Sequence, residues 1–343
     1  YDNTLFGLVY SEVGEDVEKD DFLENVLESV DYVPAAELPE AEAVESPVVG
    51  YADVLPELNE SGYLDEGEFV YENTDIGLWI YISQTLKVIV QRKIDTDAPL
   101  RWFEAEIWSD TAAGEIWKSV EYDEESISET TAKASEIAQK YGVVFGINTD
   151  YYTYRMASKT ARRKGIVIRD GVILMNDPYP KKTSYFPNLD TLALFSDGRM
   201  EVNTSYDLTA QEYLDLGATD VYSFGPYLIR DGELNPDADG WATWTNPRCA
   251  LGMIEPGHYA AIMAEGRLSD SDGITMTHLA TLMYTMGCTQ AINLDGGQTS
   301  VMVFMGKQIN AIGEYDGNTS VRSTTEILGI GYSEQALQTS AEE

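Results

Sequence analysis

The sequence predicts an α+β fold in which mixed β-sheets carry a few packed helices and two helix-Gly-strand units bring their strand ends together at one site. Three observations predict it. Two helical stretches each stop at a glycine and run directly into an apolar strand, short β-branched and aromatic runs fill most of the remainder, and Asp-Gly or Glu-Gly turns separate those runs.

In chain order, residues 1–65 read as an acidic tether, 66–335 as the folded domain and 336–343 as a C-terminal tail. Residues 1–75 hold 22 Asp and Glu against the single Lys19, and their only amphipathic stretch (Phe22, Val26, Leu27, Val30) gives way to the Pro-, Glu- and Ala-rich run from Pro34. Such a composition spaces or solvates more readily than it packs. From Gly77 the character changes, and Leu78–Ile82, Leu86–Val90 and Trp102–Trp108 read as strands.

The first unit follows. Ser126 with Glu129 forms a capping box, Ile127, Ala134, Ile137, Ala138 and Tyr141 fall at helical spacing, Gly142 stops the helix, and a strand leaves from Val143 to Asn148. The second unit repeats the design: a helix from Thr275 to Met286 with Met276, Leu279, Met283 and Met286 on one face, then Gly287, then the strand Gln290–Leu294. Tyr141–Asp150 aligns on Met286–Asp295 without gaps, and both end in Ile-Asn-x-Asp. Because strand side chains alternate with period two, Asn148 shares a face with Asp150, and Asn293 with Asp295. Hairpin turns are expected at Asp170-Gly171, Asp197-Gly198, Asp231-Gly232 and Glu265-Gly266.

Past Asp295 the chain reads Gly296, Gly297, Gln298, Thr299, Ser300. Two glycines can turn the backbone sharply and present consecutive N–H groups to an oxyanion. Two readings of Asp295 stand at this point: a site carboxylate beside an anion cradle, or a turn residue bonded to its own backbone.

The charge of −37, from 59 acidic and 22 basic residues, argues against nucleic acid and anionic membranes as partners, and requires that an anionic ligand meet a local basic site. Arg248 and Arg322 are the candidates, each among small or polar residues beside a strand-like run where a guanidinium can hold phosphate bidentately. The basic cluster Lys159, Arg162, Arg163 and Lys164 reads as a solvated loop, with anion docking its other reading. Two histidines, His258 and His278, give poor support to a histidine-centred site, and no CxxC or His-rich spacing marks zinc. No metal or other cofactor is indicated; a divalent cation is compatible with Asp295 but has no ligand motif. Cys249 and Cys288 are expected to lie close together, near enough to bridge in an oxidising compartment. No run of 18 apolar residues occurs and the chain begins at Tyr1, so membrane contact is expected only through an anchor upstream.

An ordered set of pieces resembles the phosphodiester glycosidase family. It comprises Gly146-Ile-Asn148 with Tyr151 and Tyr152, Gly165–Gly171, Phe224-Gly-Pro226, Asn246-Pro-Arg248, Gly252, Gly266-Arg267, then Gly273-Ile-Thr275 through Gly287-Cys288 to Asn293–Gly297, and finally Arg322. Together they span about residues 76 to 333. The chain departs from the family pattern at Gln298, where a third glycine is usual, and at Thr149-Asp150; Thr153–Lys164 is also longer than usual. The resemblance implies hydrolysis of a sugar-1-phosphodiester, releasing sugar and leaving a phosphomonoester, on a secreted or cell-surface domain, exopolysaccharide being a frequent context in bacteria. The resemblance and the strand-end reading agree on Asp295 with Asn293 and Asn148 at the catalytic centre, and the matching strand end adds Asp150; Arg248 and Arg322, required by the overall charge, are placed around the phosphate with Gly296, Gly297, Thr299 and Ser300. The rival class is a non-catalytic surface protein that binds polysaccharide through the same cleft, with Trp241 and Trp244 as stacking surfaces.

Overall fold

The computed structural model describes residues 51–123, 130–150, 165–178, 189–238 and 243–338. Three β-sheets enclose a common core, and a helix or short segment covers the outer side of each. The largest sheet has nine strands, in the order Phe69–Asn73, Leu78–Ile82, Leu86–Asp95, Leu100–Ser109, His258–Ala264, Arg248–Glu255, Gln290–Leu294, Tyr227–Arg230, Glu233–Leu234. A five-stranded sheet runs Met200–Asn203, Asp190–Phe195, Ala218–Phe224, Gly165–Arg169, Val172–Asp177. Another runs Lys307–Gln308, Met302–Phe304, Val143–Ile147, Glu326–Tyr332, Lys118–Glu121.

The α+β class is as the sequence predicts. The sheets are not mixed, however: every neighbouring pair in them is antiparallel. Hairpins supply many of the connections, as at Asp170 and Gly171 with φ of 46° and 72°, and at Asp231 and Gly232 with 53° and 81°. These conformations fit the tight turns that join twisted antiparallel strands. The hairpin expected at Glu265-Gly266 is absent. Glu265 is instead buried, taking Arg101 and the Ala311 N–H, and the turn that joins its strand to the preceding one lies at Pro256-Gly257.

Val88, Phe103 and Ile107 from the first sheet, Leu192 and Tyr222 from the second, and Phe145, Phe304 and Leu328 from the third are buried in one cluster. Each such aliphatic or aromatic side chain taken fully out of water contributes about 1.5–3 kcal/mol. The helix Met276–Thr285 covers the other face of the first sheet, where Met276, Leu279 and Met283 meet Ala250, Ile262 and Ala291. Thr275 caps it by accepting the His278 N–H at 3.2 Å. The helix Ala134–Tyr141 covers the third sheet through Ile137 and Ala138. It starts later than the expected capping box, which falls on residues 124–129, outside the described residues. Ala132 forms a β-bridge with Thr324, and the Glu136 carboxylate accepts the Lys133 N–H at 3.1 Å.

Within the stretch read as a tether, Tyr51, Val54, Leu55, Leu58 and Leu64 lie partly buried against Leu78, Ile80, Ile82 and Ile89. Residues 51–64 therefore cover the outer face of the first sheet. The amphipathic stretch Phe22–Val30, the basic cluster 159–164, Tyr151, Tyr152 and Trp241 lie outside the described residues. Cys249 and Cys288 are both buried and free. They do not meet: Cys249 faces the core between the sheets, and Cys288 faces the helix Met276–Thr285.

Candidate functional site

The two unit strands belong to different sheets, and their ends are joined by hydrogen bonds. The Asp295 N–H donates to the Thr149 carbonyl at 3.1 Å. Asn148 completes the joint, since Nδ2 donates to the Asp295 carbonyl at 2.7 Å and to the Thr149 carbonyl at 3.3 Å, while Oδ1 accepts the Val301 N–H at 3.0 Å. With no exposed surface and both ends of its amide occupied, Asn148 acts as a tie between the two strand ends.

Asp295 is nearly buried. Its Oδ1 accepts the Gly296 N–H at 2.9 Å, whereas Oδ2 makes no hydrogen bond to any described residue and lies 3.9 Å from Arg322 Nη1. Burial pushes the carboxyl up to about 6; nearby Thr299, Arg322 and the Gly296 N–H draw it back, and Asp150 adds to the rise. Seven buried side-chain polar atoms among the described residues lack a hydrogen-bond partner, and four of them belong to Asn293, Asp295, Thr299 and Ser300. Buried polar atoms are otherwise nearly always satisfied, so such a concentration marks a polar surface with capacity for a water or a ligand. Asn293 is oriented for this role: Nδ2 donates to the Gly225 carbonyl at 2.8 Å, which leaves Oδ1 as the unpartnered end.

Asp150 has a different neighbourhood. It is buried, with Oδ2 3.5 Å from Arg169 Nη2 and 3.4 Å from the Ser223 N–H. Arg169 in turn donates to both Glu326 oxygens at 2.9 and 2.7 Å and to the carbonyls of Ile168 and Val221 at 2.9 and 2.7 Å, and its guanidinium lies 3.9 Å from the centre of the Tyr222 ring. The sequence marks Arg169 only as part of the resembling run Gly165–Gly171, beside the hairpin turn at Asp170-Gly171.

Two parts of the expected phosphate cradle are corrected. The N–H groups of Gly296 and Gly297 are already engaged, the first by the Asp295 carboxylate and the second by the Pro247 carbonyl at 2.8 Å; no anion nest forms there. Arg248 is buried, donating from Nε to the Ile274 carbonyl at 2.9 Å and from Nη2 to the Trp244 carbonyl at 3.0 Å, so it braces the turn before its strand. Arg322 does stand at Asp295. The sequence does not single out Arg267, which reaches the same turn: Nη1 donates to Gln298 Oε1 at 2.8 Å and Nη2 to Asn246 Oδ1 at 3.0 Å. Its Gly-Arg setting looks like the far side of a hairpin, and its φ of 61° has no signature in the sequence.

The remaining candidates stand elsewhere. His258 bonds Glu106 at 2.8 Å and stacks on Trp108, and His278 is exposed on its helix. Trp244 is exposed. No group of three or more His, Cys, Asp or Glu side chains among the described residues is arranged to hold a metal. A cavity of about 550 Å³ opens beside Lys118, Glu121, Tyr141, Arg169 and Tyr332. Its lining omits Asp295 and the unpartnered polar atoms, so that cavity is separate from them.

A model of the phosphodiester glycosidase family matches residues 141–330. SPbeta prophage-derived uncharacterized protein YomE of Bacillus subtilis (strain 168) is 30% identical over 173 residues, which is 49% of this chain and 25% of that protein. The match thus spans a quarter of the relative's length. The zebrafish N-acetylglucosamine-1-phosphodiester alpha-N-acetylglucosaminidase catalytic domain, solved auto-inhibited by its pro-peptide, superposes with a TM-score of 0.56 at 16% identity, over 73% of this chain and 85% of that one. That likeness is one of fold.

Proposed function

Because this chain belongs to the phosphodiester glycosidase family, we propose that it hydrolyses the C1–O bond of a sugar-1-phosphodiester, adding water to release the sugar and leave a phosphomonoester. The observation that carries this reading is the pairing of Asp295 with Arg322 at 3.9 Å amid unpartnered buried polar atoms. Cleavage of this bond builds positive charge on the sugar ring and negative charge on the departing phosphate. Ionised Asp295 supports the first and Arg322 the second. Phosphate is a good leaving group, so strong acid catalysis is not demanded of either carboxyl.

Asn293, Thr299 and Ser300 are assigned to the sugar hydroxyls, for which Asn293 Oδ1 is an acceptor and the two hydroxyls can donate or accept. Asp150 is a positioning residue, held by Arg169 and acting on Asp295 through its charge. A secreted or cell-surface setting goes with this reading through the family resemblance. Among the described residues no helix is long and apolar enough to cross a membrane.

The test is to incubate the purified chain with a panel of sugar-1-phosphodiesters and follow release of reducing sugar and of phosphomonoester. Turnover of at least one member, abolished in Asp295→Asn, is the expected result. Binding of sugar phosphates or polysaccharide without turnover would favour the rival surface-binding reading, for which exposed Trp244 offers a stacking face.

A further inference from the structure

Gln298 is buried and its side chain makes three hydrogen bonds. Oε1 accepts from Arg267 Nη1 at 2.8 Å, and Nε2 donates to the carbonyls of Gly313 and Asn318 at 3.1 and 2.9 Å. Its carbonyl also accepts the Arg322 N–H at 2.6 Å. One residue therefore joins Arg267, and Arg322, which stands 3.9 Å from Asp295, to the turn Tyr315–Asn318, which is closed by reciprocal backbone bonds at 2.9 and 3.0 Å.

The placement of Arg267 is specific. Its guanidinium lies 4.2 Å from the Tyr315 ring centre, and a Cβ added at Gly297, whose φ is +62°, would come within 3.0 Å of Nη2. Glycine there lets the cation lie against the turn that carries Asp295. The bonds to Gln298 and Asn246 occupy two of the five N–H donors of a guanidinium. Burial lowers the pKa of Arg267; the proximity of Arg322 adds to the fall and Tyr315 opposes it. Arg267, held by the Gln298 side chain, and Arg322, held by the Gln298 carbonyl, are thus tied to one residue of the turn, and an anion bound by both guanidiniums gains charge-assisted hydrogen bonds from each.

We infer that Arg267 and Arg322 form a two-guanidinium clamp for the substrate phosphate, and that Gln298 is the positioning residue that aims Arg267 into it. The inference rests on the reading that this cleft takes a glycosyl phosphodiester. It assigns the phosphate to a pair of arginines in place of the glycine N–H cradle and Arg248.

The test uses inorganic phosphate as the probe, titrated calorimetrically into the full chain, so that it does not depend on turnover. Gln298→Met keeps the volume and removes both polar functions, and should weaken phosphate binding about tenfold, the scale of one lost hydrogen bond to a charged group. In the R267K background, where the fork is already lost, the same change should weaken binding less than about twofold, because Gln298 acts through Arg267. On a hydrolysed substrate, KM should rise while kcat changes little. Equal losses from Gln298→Met in both backgrounds, or no loss in either, would reduce Gln298 to a structural residue and overturn the inference. If Gln298→Met does not fold, Tyr315→Leu replaces it: the side chain is exposed, and its loss should weaken phosphate binding only where Arg267 is intact. Failure of the unmodified chain to bind phosphate overturns the clamp itself. Phosphate binding that depends on Arg267 and Gln298 without hydrolysis of any phosphodiester would leave the clamp standing and defeat the proposed reaction.

Discussion

Asp150 and Asp295 stand at matching places, each one step beyond the Asn-x of a helix-to-strand unit, yet their surroundings have little in common. Asp150 takes one donor of a guanidinium whose other four go to Glu326 and two carbonyls, within a network that continues through Ser119 to the Tyr222 hydroxyl. Asp295 faces Arg322, whose side chain is 39% exposed, and one of its oxygens makes no hydrogen bond to a described residue. A repeated strand end is thus used twice, once in a joint within a closed ionic network and once beside a partly exposed arginine, where the proposed reaction puts the site. Burial alone does not distinguish them, since both carboxylates are nearly inaccessible. The state of their partners does.

The largest effect should come from breaking the joint. Arg169→Met removes the cation that Glu326 and Asp150 share and leaves buried carboxylates without it, which typically costs about 3–5 kcal/mol. Thermal or denaturant unfolding should show a loss of that order, whatever substrate is present. A change under about 1 kcal/mol would mean that the network is dispensable and the contrast between the two ends overstated.

On the other side, Asp295→Asn keeps the shape and removes the charge. Turnover should fall at least about a hundredfold, the scale of losing one charge-stabilising or general-base group, with circular dichroism unchanged. Near-normal turnover would return Asp295 to the turn residue that the sequence also allows.

How far these two ends could be told apart from sequence is set by the range of the contacts. The helix Met276–Thr285, the glycine stop and the strand into Asp295 are local, and sequence spacing expresses them; the Thr275 cap appears only in the structure. The partners of each carboxylate are not local: Arg169 meets Glu326 157 residues away, and Asn148 meets the Asp295 carbonyl 147 residues away. The expected cradle at Gly296 and Gly297 failed for the same reason, because the Pro247 carbonyl that takes the Gly297 N–H comes from a distant turn. Arg267 and Gln298 stand in the sequence only as a piece of the family resemblance and a departure from it, because a Gly-Arg pair and a glutamine after two glycines have no chemical signature until the fold brings them together. Cys249 and Cys288 show the same limit: Cys249 lies within its strand and packs in the core between the sheets, whereas Cys288 lies before the strand Gln290–Leu294 and packs under the helix Met276–Thr285.

The contrast should also appear in stability against pH. The Asp295 carboxyl rises from 3.8 to about 6 on folding, so the protonated form is favoured in the native state. Its contribution is fully present below about pH 4 and is lost as pH rises through about 6. Asp295→Asn has no such group, so its melting temperature relative to the unmodified chain should climb between pH 4 and 7 and then level off, by an amount corresponding to at most about 3 kcal/mol. A pH-independent difference would show that Asp295 titrates alike in both states.

The smallest effect tests whether the two ends communicate. Asp150 is among the influences that raise the Asp295 carboxyl, though the last of them, burial being the first. Asp150→Asn removes that charge and leaves the burial in place. If ionised Asp295 is the reacting form, kcat/KM should rise with pH through about 6 in the unmodified chain, since this profile reports groups of the free enzyme. In Asp150→Asn the same rise should shift to lower pH by less than about one pH unit, as expected for a minor electrostatic contributor. A shift of the midpoint with its shape retained identifies Asp150 as a residue that acts through Asp295. Loss of the rise altogether, with turnover as low as in Asp295→Asn, would instead make Asp150 a second reacting carboxylate, and the joint would have to be redrawn as half of the site.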